Sequence, residues 1–177
     1  MKLACRILVG VVVVLVSFAR PSAQGVTLAG DLQKDWVAQK ALMMKIAAEM
    51  PEDKFGFKAT PAQRSYAEQI THVASANIGL MGALGGKTAA PTINAKATDK
   101  AGALRALEQS FDYGEAVLKE FNDQQLLEGV MGPRFMGGQA TRARIAYFVI
   151  AHSQDIYGQM AVYLRLNGLV PPASQRP

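Results

Sequence analysis

Six positions, Leu104, Leu107, Phe111, Gly114, Leu118 and Phe121, follow one another at intervals of 3-4-3-4-3. That spacing draws a single apolar seam along a helix, and such a seam must be covered by other helices. Three further segments carry matching stripes. The first runs from about Leu28 to Met50, with Leu32, Trp36, Met43, Ile46, Ala47 and Met50 at helical spacing. The second is expected to open at Thr60-Pro61-Ala62-Gln63, where Thr60 can cap, Pro61 suits the first helical position and Gln63 can complete a capping box. Its stripe is Tyr66, Ile70, Val73, Asn77, Met81 and Leu84, ended by Gly85-Gly86. The fourth, from about Gln139, carries Ile145, Val149, His152, Ile156, Gln159 and Tyr163, and Asn167-Gly168 followed by Pro171-Pro172 stops it. No stretch alternates with period two. The chain is predicted to be all-α, a four-helix bundle.

The connections bear on topology. Residues 51–59 form a short link, which favours antiparallel neighbours. Residues 85–98 are rich in Gly, Thr, Ala and Pro. Fully extended they reach about 48 Å, whereas a helix of about 24 residues is about 36 Å long. This link can therefore cross the bundle and let the second and third helices run parallel. Residues 122–138 are also long enough to cross, and five glycines and prolines in that stretch predict an exposed, mobile loop.

The N-terminus reads as a targeting segment. Lys2 and Arg6 precede a 13-residue apolar run from Ile7 to Ala19, and small and turn-forming residues follow in Arg20-Pro-Ser-Ala-Gln-Gly25. The run is short of the roughly 20 residues that span a bilayer. Residues 1–24 are therefore expected to be a signal peptide and residues 25–177 the exported bundle domain, periplasmic or extracellular, with no stable membrane span once the signal is removed. The formal charge of +5 then falls to +2, because the leader holds Lys2, Arg6 and Arg20 and no acid. So small an excess argues against a nucleic-acid partner. The chain's single cysteine, Cys5, lies in the leader, so the domain has no disulfide, thiolate ligand or cysteine nucleophile.

Chemistry-bearing residues are few. His72 lies on a stripe with Ser65, Gln69, Ala76 and Ala83, whose small side chains leave room between helices; His152 falls on the fourth seam. Two neutral imidazoles meeting in a bundle suit a divalent metal such as Zn, Ni or Fe. Equally, each can be a hydrogen-bonded boundary residue. Trp36 and the methionines at 43, 44 and 50 read as packing. Arg142 and Arg144 open the fourth helix, the unfavourable end for a cation, and face an anion or water. Gly158 inside that helix implies a close helix approach or room for a ligand. No Ser-His-Asp order, phosphate loop or dinucleotide fingerprint is present.

Two stretches, MPEDKFGFKATPAQRSYAEQITHVA (residues 50–74) and IAHSQDIYGQMAVYLRLNGLVPPAS (residues 150–174), resemble the DinB superfamily of four-helix proteins. The resemblance extends from about residue 28 to residue 174. It implies a bundle of DinB type with a long crossover between helices 2 and 3. It also implies a divalent-metal site of three histidines, one on helix 2 and an H-x-x-x-H pair on helix 4. His72 matches the first and His152 the second, but the third position is Ile156, which cannot ligate metal. The metal site implied by His72 and His152 is thus degenerate, and metal binding is expected to be weak or absent. The expected function is an exported bundle that binds a small molecule or a partner, with a homodimer among the options. The alternative is a metal-dependent transferase or hydrolase, thiol-transferase-like, built on the same two histidines.

Overall fold

The computed structural model describes residues 25–175. Thr27 starts α1 (Leu28–Glu49) by accepting a hydrogen bond from the Gly30 amide at 3.0 Å. The Asp123 carboxylate reinforces this end, accepting from the Leu28 and Ala29 amides at 3.2 and 2.9 Å.

The next helix, α2 (Tyr66–Gly82), does not open at Thr60 as expected. Residues 60–63 make only a turn, with the Gln63 amide donating to the Thr60 carbonyl at 3.1 Å. The capping box that forms is Ser65 with Glu68: the Ser65 amide donates to the Glu68 carboxylate at 2.6 Å and the Glu68 amide to Ser65 Oγ at 3.2 Å. Tertiary structure chose between two local signals of the same kind. The Tyr66 and Ala67 amides donate to the Phe57 and Phe55 carbonyls, both at 3.0 Å, and Phe55 is buried. Those contacts hold residues 55–64 outside the helix.

Residues 83–99 then lead to α3 (Lys100–Leu118), capped by Asp99. After it come a short helix, α4 (Asp123–Leu127), and a two-stranded antiparallel hairpin, β1 (Gly129–Met131) with β2 (Gln139–Thr141), in which Val130 faces Ala140. The last long helix, α5 (Arg142–Leu166), follows directly.

The four long helices form a ring in the order α1, α3, α2, α5. Cross-links between them give the directions. Gln33 meets the Leu118 carbonyl while Lys100 meets the carbonyls of Ala48 and Met50, so α1 and α3 are antiparallel. Asn77 meets Ser110, and Glu120 meets Lys87 and Thr88, so α2 and α3 are parallel. Residues 83–99 therefore cross the length of the bundle, the long crossover the family resemblance implied. Glu120 pins their beginning, accepting from the Lys87 and Thr88 amides at 2.6 and 2.8 Å. The first connection behaves differently from expectation. It reverses the chain, but α2 lies diagonally across from α1 rather than beside it, with α3 and α5 between them.

The third connection does not cross. It is also more ordered than its glycines suggest, because Arg142 gathers it. Its Nε donates to the Leu84 carbonyl at 2.8 Å, and one terminal nitrogen donates to the Gln125 carbonyl and the Glu128 carboxylate at 2.9 and 2.8 Å. The guanidinium also lies 4.9 Å from the Phe121 ring centroid. Arg142 thus spends its hydrogen bonds on the scaffold, with its side chain only 16% exposed.

All six residues of the first predicted stripe and all six of the second are buried, including the amide of Asn77. Trp36 closes the centre, its indole N–H donating to the Phe111 carbonyl at 2.8 Å. No helix among the described residues is long and apolar enough to cross a membrane. The leader expected over residues 1–24 lies outside the described residues.

Candidate functional site

His72 points from the middle of α2 and His152 from the middle of α5, and the antiparallel packing of these helices brings the two rings together. Their Nε2 atoms are 3.1 Å apart, with ring centroids 5.0 Å apart and planes at 65°. Burial depresses the basicity of both imidazoles, and the positive charge of Arg64 lowers each further; Asp155 partly offsets this at His152. Both rings are therefore neutral at pH 7, and one donates to the other.

His152 Nδ1 settles the direction. It is buried and has no hydrogen-bond partner. A proton there would be a buried N–H without an acceptor, the costlier of the two defects. We therefore assign the shared proton to His152 Nε2 and the receiving lone pair to His72 Nε2.

This arrangement bears on metal. Two nitrogens each roughly 2.0–2.1 Å from one ion lie roughly 2.9–3.4 Å apart at bond angles of about 90–109°. The observed 3.1 Å falls in that range. Joint ligation would nevertheless require both Nε2 lone pairs, and so a proton on His152 Nδ1, where no acceptor stands to orient it. One turn along α5, Ile156 is buried at 2% exposure and offers no donor. Asp155 is engaged by the Gln159 amide at 3.0 Å, and the Gln159 carbonyl accepts from Gln69 at 2.9 Å. Among the described residues no group of three His, Cys, Asp or Glu side chains converges. The residues present do not fit a tight metal site.

The pair borders an apolar cleft of about 570 Å³, a volume typical of small-molecule sites. Its walls include Leu80 from α2, Met131 from β1, Phe135 from the hairpin loop and Phe148 from α5. Phe148 stacks on His152 with centroids 6.4 Å apart and planes at 23°. Phe148 precedes His152 by one helical turn, so its place beside the pair was legible on the fourth helix. Nothing local pointed to Met131 and Phe135, which the hairpin carries in. Gly158, by contrast, neither approaches another helix nor lines this cleft: a β-carbon there would meet nothing within 4 Å.

A sequence model of the DinB superfamily matches residues 35–160. Two solved structures share the fold. A DinB-like protein from Bacillus cereus superposes with a TM-score of 0.71 at 16% identity, over 81% of this chain and 95% of that one. A DinB-like protein from Bacillus subtilis gives 0.64 at 16% identity, over 83% and 99%. Comparison with curated proteins finds no match.

Proposed function

This chain belongs to the DinB superfamily, and from that premise we propose that it is an exported, ligand-binding member whose divalent-metal site is degenerate. The observation that carries this reading is the closed His72–His152 hydrogen bond, at 3.1 Å, with a buried isoleucine where a further ligand would have to stand. The two imidazoles spend their facing nitrogens on each other. What remains is a cleft with apolar walls, bordered by the half-buried ring of His72. Such a site suits a small molecule that buries apolar surface and makes one or two polar contacts.

One observation keeps a second reading, the metal-dependent transferase or hydrolase. The Nε2 separation is one that a single ion can bridge. In that reading the metal would polarise a substrate or activate water, and His72 and His152 would hold it. Metal analysis of the purified protein, followed by zinc and nickel titration with His72→Ala as control, separates the two. The ligand-binding reading expects substoichiometric metal and affinity no tighter than micromolar. Stoichiometric metal that is lost in His72→Ala overturns it.

A further inference from the structure

Two clefts meet at His72. Besides the apolar one, a second of about 720 Å³ opens between the start of α2 and the crossover, with Lys58, Arg64, Glu68 and Lys96 among its walls. Resting on the ligand-binding reading above, we propose that the ligand is an amphipathic anion. Its alkyl or aryl body fills the cleft beside Leu80 and Phe148, and its carboxylate or phosphate head reaches past His72 to Arg64 and Lys96.

Charge decides the head. Of the three basic side chains, Lys58 is neutralised by Glu68 at 3.5 Å. Arg64 and Lys96 make no ion pair with any described residue. The second cleft therefore presents two exposed positive charges with no carboxylate partner, and an oxyanion placed there would pair with both. The Arg64 carbonyl accepts the Tyr163 hydroxyl at 2.7 Å, which fixes the backbone from which the side chain extends. Its solvent-exposed side chain lines this cleft together with His72.

Uncovered apolar surface decides the body. Met131 and Phe135 are 73% and 64% exposed at the rim of the first cleft. Along the α2 wall stand Ala76 and Gly79, and a β-carbon on Gly79 would meet nothing within 4 Å. A free oxyanion would leave this surface wet, and a neutral hydrocarbon would gain nothing from Arg64 and Lys96. A molecule with both parts covers the apolar surface and pairs with both cations.

The test is calorimetric titration, at about pH 7.5 where the imidazoles are neutral, of protein purified after expression of the full chain. The probes are decanoate, decyl phosphate, decanol and inorganic phosphate. Both amphiphilic anions should bind saturably, with decanol about tenfold weaker or worse and inorganic phosphate showing no binding. The tighter of the two anions identifies the head group. The double variant Arg64→Ala/Lys96→Ala should weaken decanoate about tenfold and leave decanol unchanged. Gly79→Leu, which adds its side chain into open space on a helix, should weaken both while retaining its melting transition. Decanol binding as tightly as decanoate, with the double variant without effect, overturns the anionic assignment and leaves the cleft reading standing. Absence of saturable binding by all four probes overturns the proposal outright. Stoichiometric metal in the wild type instead removes the reading beneath it.

Discussion

The six-membered ring of Trp36 occupies the volume that a β-carbon on Gly114 would fill: Cζ2, Cε2 and Cη2 are the atoms such a carbon would meet. The glycine on the third seam is thus the socket for the indole of the first. Because Trp36 is fully buried and its N–H is bonded to the Phe111 carbonyl at 2.8 Å, the ring has nowhere to move. Gly114→Ala should lower stability by about 1–3 kcal/mol through overpacking, although alanine is the better helix former. Gly158→Ala, in open space on α5, should do the reverse and stabilise by about 1 kcal/mol. Thermal melts of the two variants check the pair. Equal and opposite behaviour to that described would show that the seam is not packed through Gly114.

Acidification should destabilise the bundle through the histidine pair. The imidazoles are held below their ordinary value of 6.5 by burial first and by the Arg64 charge second. The folded state therefore binds fewer protons than the unfolded chain just below that pH. Their contribution is fully present above pH 6.5 and is lost as pH falls through the folded-state values, so stability declines on the acid side. Groups that face the pair set the slope: Arg64 steepens it and Asp155 softens it at His152. Melting temperature followed from neutral to mildly acidic pH should fall, and less so in a His152→Gln variant. A wild-type profile no steeper than that of the variant rules out the pair as the source.

Ile156→His should restore metal affinity. The substitution places an imidazole one turn from His152, and His72 then completes three nitrogen ligands with an open fourth position. Loss of a buried aliphatic side chain should cost roughly 1–3 kcal/mol without metal. Added zinc should recover this and raise the melting temperature with concentration. Titrations of wild type and variant with zinc and nickel provide the measurement. Equal affinity in the two proteins would falsify the assignment of position 156 as the missing ligand.

Export should leave a mature chain that begins between about Ser22 and Val26, because a signal-length apolar run ends in small residues there. N-terminal sequencing of protein from an extracytoplasmic fraction would show it. Intact Met1 on soluble cytosolic protein is the contrary result.

The sequence by itself determined the four stripes and the all-helical class, but not which helices stand side by side. Burial periodicity is a local property of each segment, and Leu32, Trp36, Ile70 and Val149 are buried where their spacing put them. It also singled out His72 and His152, each by its place on a helical stripe, whereas Ile156 stood out only through the resemblance to the DinB superfamily. Tertiary structure alone decided the rest. Whether Thr60 or Ser65 opened α2 depended on Phe55 and Phe57, whose carbonyls captured the first free amides of the helix. Whether Arg142 served a ligand or the scaffold depended on Leu84 and Gln125, carbonyls that the bundle and the third connection bring to it. The orphaned Nδ1 of His152 and the unpaired charges of Arg64 and Lys96 are likewise properties of what other segments fail to supply. Such absences arise only when segments distant in sequence are packed together, which is why no spacing along the chain can encode them.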